Sequence, residues 1–135
     1  MTEIGIRPAK ASDQAYVATS WHRRCGEKAN LVDWALDRRG ARVLVACPVD
    51  NQDRIEGWLC YEHQPAAQLV HQVYVRAERR RQGIATRMLQ NAKLDNTRTL
   101  VVTSITLPPW ETRWRIIRMD LSELAPLELR RAGCG

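Results

Sequence analysis

One segment limits what this chain can fold into. Residues 68–89 read as strand, basic loop and helix in immediate succession. Gln68 to Val75 alternates in the manner of a strand, with Leu69, His71, Val73 and Val75 on one face and Val70, Gln72 and Tyr74 on the other. The run Arg76-Ala77-Glu78-Arg79-Arg80-Arg81 follows at once, and Gly83 opens a helix to Lys93 with Ile84, Met88 and Leu89 as its apolar stripe. The first amides of such a helix lack intrahelical partners, and the helix dipole adds partial positive charge there. A strand that feeds a glycine-bearing basic loop at a helix start is therefore suited to a phosphate. A solvated arginine run in front of an ordinary helix is the competing reading.

The rest of the chain supplies one sheet around that segment. Ile4 to Arg7 is a short strand ended by Pro8. Residues 12–24 form a helix with Ser12 as N-cap, and Leu31 to Arg39 a second one capped by Asn30. Ala41 to Cys47 and Arg54 to His63 are strands, and with Gln68 to Val75 they form an antiparallel meander joined by short turns. Thr99 to Ile105 is a further strand, Trp110 to Met119 a fourth helix and Leu124 to Leu129 a last strand. The order is mixed α/β around one sheet, in a single domain over residues 1–135.

Composition narrows the partners. Lys+Arg total 21 against 15 Asp+Glu, a net charge of +6, and 18 of the 21 are arginines. Half of that excess sits in residues 76–81. Arginine favours planar, multidentate contact with phosphate or carboxylate. No window approaches the ~18 consecutive apolar residues of a membrane span. Without a basic n-region and an apolar h-region at the N-terminus, the expected compartment is the cytoplasm. Free thiols are then expected at Cys25, Cys47, Cys60 and Cys134, whose spacings fit no metal template.

The segment Arg80-Arg81-Gln82-Gly83-Ile84-Ala85, preceded by Val73-x-Val75-x-x-Glu78, resembles the acetyl-CoA loop of the GCN5-related N-acetyltransferases (GNAT). In that family an Arg/Gln-x-x-Gly-x-Gly/Ala loop follows an apolar strand and opens a helix. Gly57-Trp58-Leu59 and Ile6-Arg7-Pro8-Ala9-x-x-x-Asp13 extend the resemblance to roughly residues 4–104. A looser likeness links short proteins of this kind to phage genomes. The resemblance implies an α/β fold with a mixed, mostly antiparallel sheet flanked by helices, and an abbreviated C-terminal part. It implies acetyl-CoA as cosubstrate, without a metal. The backbone of Val73 and Val75 would pair with the pantetheine arm. The amides of Arg81, Gln82, Gly83, Ile84, Ala85 and Thr86 would hold the pyrophosphate, and Arg79 or Arg80 would meet the 3′-phosphate or stay in solvent.

Acetyl transfer to an amine needs a base, a polarised carbonyl and a proton for the leaving thiolate. His71 is the first base on the cofactor strand, and Glu62 with His63 ends the strand beside it; each also reads as an ordinary strand residue. Many members of the family carry a tyrosine acid after the fifth strand, whereas no tyrosine follows Tyr74 here. Ser104 is the nearest hydroxyl. The expected function is therefore acetyl transfer to a primary amine on a small molecule, protein or peptide, and homodimerisation is left open. The alternatives are a non-catalytic GNAT-fold module that binds CoA or a protein, and a small basic nucleic-acid-binding protein. The second ranks lower, because no aromatic residue interrupts residues 76–87 after the basic run begins.

Overall fold

A computed structural model describes residues 3–65, 67–95, 97–103 and 115–124. Six strands form one sheet in chain order: β1 (Ile4–Pro8), β2 (Arg42–Pro48), β3 (Gly57–His63), β4 (Gln68–Val75), β5 (Leu100–Val102) and β6 (Ile116–Arg118). The first four pair antiparallel, and β5 and β6 are added parallel. Short connections join β2, β3 and β4, as the turn residues dictate, whereas β1 reaches β2 through a helical stretch between residues 9 and 41. The parallel pair β4–β5 needs a crossover, supplied by helix α3 (Ile84–Asn91).

Helices α1 (Gln14–Cys25) and α2 (Ala29–Leu36) cover one face of the sheet, and α3 covers the other. Two apolar clusters follow from this sandwich. Under α3 lie Leu44, Leu59, Val70, Met88, Leu100 and Val102; under α1 and α2 lie Val17, Trp21, Val32, Val45 and Trp58. Trp21 and Trp58 meet at 5.5 Å between ring centroids. The buried indole N–H of Trp58 donates to Ser20 Oγ at 2.8 Å, and Ser20 Oγ donates to Tyr16 O at 2.7 Å. A large aromatic is thus buried without an orphaned donor.

Several expectations need correction. Ser12 caps no helix: residues Ala11–Asp13 form a 3-10 turn, where Asp13 accepts from the Lys10 amide and pairs with Arg7 at 2.7 Å. The second helix begins at Ala29, one residue before Asn30. The third sheet strand starts at Gly57, not Arg54. Residues 116–118 of the expected fourth helix are strand β6. Their β-branched pair Ile116-Ile117 satisfies its backbone on the free side of β5, which a helical turn would leave unpaired. Leu124 lies in a helical turn with residues 121–123 rather than at the start of a strand. Ser104, residues 110–114, residues 125–129 and Cys134 lie outside the described residues.

The two-face assignment of β4 also changes. Gln72 stands opposite Cys60, but Val70 stands opposite Tyr61, so His71 is an extra residue, a β-bulge. The bulge shifts the alternation by one. Val70, Val73 and Val75 face α3, whereas Tyr74 packs with the cluster beneath α1. His71 leaves the Val73 and Val75 face and meets Glu62.

Candidate functional site

The loop between β4 and α3 is built from the expected residues, but its arginines divide into two groups. Glu56, almost fully buried, takes Arg54 at 2.6 Å on one oxygen and Arg79 at 3.5 Å on the other. The Arg76 amide donates to Glu56 O at 2.8 Å, and its Nε donates to Ile55 O at 2.7 Å. Arg80 Nε closes back on Val75 O at 3.0 Å. These contacts fix the loop's path. Arg81 and Gln82 are exposed at its crest.

The crest then turns twice through the left-handed region, at Arg81 (φ 64) and Gly83 (φ 77). Gly83 is the N-cap of α3 and accepts the helix's first bond, from Arg87 N at 3.0 Å. The amides of Ile84, Ala85 and Thr86 come before that bond, and no side chain caps them. A Cβ placed on Gly83 would meet nothing within 4 Å, so the N-cap position itself is uncrowded. Glycine is required there by its φ rather than by crowding. Free amides, a helix dipole and an exposed arginine together suit a pyrophosphate.

Beside the loop, β4 pairs with β5 through Gln68–Leu100, Leu69–Val101 and Val70–Val102, followed by a bond from Thr103 N to Val70 O at 3.0 Å. Among the described residues, 71–75 have no ladder partner on that side. Val73 and Val75 lie on this free stretch, directly before the loop. An extended ligand arm can add to such an edge as a strand does.

Next to the described β4–β5 pairing, a buried polar chain crosses the sheet. Arg38 Nε donates to Glu62 Oε2 at 2.6 Å, and Gln64 Nε2 donates to Glu62 Oε1 at 2.8 Å. His71 Nε2 lies 2.5 Å from Glu62 Oε2, and His71 Nδ1 lies 2.8 Å from Thr103 Oγ1. Glu62, His71 and Thr103 are all buried. Burial raises the Glu62 pKa, but hydrogen bonds from His71 and Arg38 outweigh it and hold the carboxyl down to about 2. An ionised carboxylate only accepts, so Nε2 carries the ring proton. In the neutral ring Nδ1 then accepts from the Thr103 hydroxyl.

The structure therefore joins His71 and Glu62, read separately in the sequence, and adds Thr103 and Arg38, which sequence reasoning missed. His63 is not in this chain; its Nε2 contacts Ala92 O at 2.7 Å. No cluster of His, Cys, Asp and Glu among the described residues is arranged to hold a metal. No helix among them is long and apolar enough to cross a membrane.

A sheet of this order flanked by helices on both faces has solved counterparts. The fold is that of the GNAT N-acetyltransferases. A ribosomal-protein-alanine N-acetyltransferase from Brucella melitensis superposes with a TM-score of 0.55 at 20% identity, over 82% of this chain and 84% of that one. The GNAT-family N-acetyltransferase YhbS of Escherichia coli, solved with CoA, gives 0.56 at 17% identity over 68% and 55%. A GNAT-family protein from Desulfovibrio desulfuricans gives 0.51 at 17% identity over 67% of this chain. The chain spans 64% of the length of the Desulfovibrio protein and 55% of YhbS. No protein-family model matches the sequence, and no curated protein matches it.

Proposed function

We propose that this chain is an acetyltransferase that takes acetyl from acetyl-CoA and passes it to a primary amine. The observation that carries the reading is the flank of β4 at Val73 and Val75, without a strand partner among the described residues, running directly into the uncapped amides of Ile84, Ala85 and Thr86. Acetyl-CoA supplies an activated thioester. The amides and the dipole of α3 take the pyrophosphate, with Arg81 and Gln82 at its rim. The backbone of Val73 and Val75 takes the pantetheine arm.

For the acceptor's proton, the reading uses the buried chain. Thr103, directly after β5, takes the amine's proton as it gives its own to His71 Nδ1; Glu62, already ionised, balances the resulting imidazolium. Glu62 is thus a counterion rather than a base, since a carboxyl held at about 2 is a weak proton acceptor at neutral pH. Ser104, next in the chain, remains a candidate donor to the leaving thiolate.

Thiol release from acetyl-CoA, measured against a panel of amines, tests this reading. Amine-dependent release in the wild type that falls in His71→Ala supports it. Saturable acetyl-CoA binding without release for any amine favours a non-catalytic CoA-binding module, to which the complete burial of His71 lends weight.

A further inference from the structure

On the face of β4 that looks toward α1 there is a groove of ≈ 260 Å3 that the cofactor reading leaves unused. Tyr16, Thr19, Arg23 and Arg24 of α1 line it, together with Tyr74 of β4 and Arg76 just beyond that strand. Its charge is one-sided. Three arginines line it, and no acidic residue is among its lining residues. Glu56, next to the Ile55 that holds Arg76, is itself paired with Arg54 and Arg79. Arg76 is fixed in place, since its Nε donates to Ile55 O and its guanidinium lies 5.5 Å from the centre of the Tyr16 ring.

Its position relates it to the cofactor strand. Tyr74 alternates with Val73 and Val75, so the groove and the α3 amides lie on opposite faces of one strand. A molecule in the groove meets arginines first. A bare ammonium or a polyamine is repelled there, whereas a carboxylate or phosphate finds planar donors and the hydroxyls of Tyr16, Tyr74 and Thr19. The same positive field disfavours the charged form of a nearby amine and so raises its nucleophilic fraction.

We propose that this groove is the acceptor site, and that the acceptor is an amine whose own scaffold carries a carboxylate or phosphate group. The proposal rests on the acetyl-transfer reading. In the step, the amine nitrogen bonds to the acetyl carbonyl carbon and the carbon–sulfur bond breaks. The proton lost by nitrogen ends on the CoA sulfur, giving amide and free thiol.

The test uses matched probes on the full chain: O-phosphoethanolamine against ethanolamine, glycine against glycinamide, and spermidine. Thiol release gives kcat/KM, and calorimetric titration into CoA-saturated protein gives acceptor binding independently of turnover. The anionic member of at least one pair should be preferred by about tenfold or more, and spermidine should be poorest. Which pair discriminates tells phosphate from carboxylate. The double variant R23A/R24A should lose that preference while its acetyl-CoA affinity stays within about twofold, because both arginines are exposed and outside the phosphate loop. Equal use and binding of neutral and anionic members overturns the proposal, as does a best response to spermidine. Weakened acetyl-CoA binding in R23A/R24A also overturns it and gives the groove to the cofactor. Failure of acetyl-CoA to bind the wild type instead removes the acetyl-transfer reading beneath it.

Discussion

Replacing Glu62 by Gln isolates the energetics of the buried chain. The carboxyl is held at about 2 in the fold and stands near its ordinary 4.5 when unfolded. A group whose folded pKa is depressed contributes stability above the unfolded value and loses it as pH falls through the folded one. At pH 7 the contribution is about 3 kcal/mol, from about 1.4 kcal/mol per pKa unit. By pH 3 about 2 kcal/mol of it is gone. Urea unfolding of wild type and Glu62→Gln at pH 7 and pH 3 reads both quantities. The variant should be less stable at pH 7 by about 3 kcal/mol or slightly more, because His71 and Arg38 lose a buried counter-charge. The gap should narrow by about 2 kcal/mol at pH 3. Asp13, also held low by Arg7, titrates alike in both proteins and cancels. A gap of the same size at both pH values would refute the assignment of the depressed pKa to Glu62.

Other outcomes follow from single contacts. Thr103→Val keeps the shape but removes the hydroxyl on His71, so kcat should fall at least about tenfold with acetyl-CoA affinity unchanged. Gly57→Ala places a Cβ 2.7 Å from the Tyr74 carbonyl, and chemical denaturation should show a loss of about 1–3 kcal/mol. Ser20→Ala leaves the buried Trp58 indole N–H without its acceptor, which should cost about 1–3 kcal/mol by the same measurement. Burial pushes the Cys25 thiol up to about 11 and raises Cys60 further. Mass spectrometry after brief iodoacetamide treatment at pH 7 should find both unmodified in the native protein and alkylated in urea.

How far the sequence reaches depends on how local each cause is. The β4–loop–α3 unit was readable, because apolar alternation, an arginine run and Gly83 each leave a mark within a few residues. The meander was readable for the same reason. The bulge at His71 was not, since an inserted residue leaves no compositional trace, and the face assignment of β4 failed with it. Thr103 was missed because its role depends on meeting His71, 32 residues away in the chain, a long-range property. The spacing of Trp110, Trp114 and Ile117 suggests a helix, and the vacant side of β5 overrode that signal at residues 116–118. The charge of the loop was visible, but its division was not. Arg76 and Arg79 serve Ile55 and Glu56 through contacts about twenty residues apart.

The β4–α3 loop as an acetyl-CoA site is tested most directly by titrating acetyl-CoA into wild type and Gly83→Asp while following thermal unfolding. A ligand confined to the native state adds about 2.7 kcal/mol of apparent stability at a hundredfold excess over its dissociation constant. The wild type should show a saturable rise. Gly83→Asp should show none, because it places a carboxylate before the amides of Ile84, Ala85 and Thr86 at a position that also needs positive φ. No rise in the wild type at millimolar acetyl-CoA, or an equal rise in both proteins, would contradict the assignment of this loop.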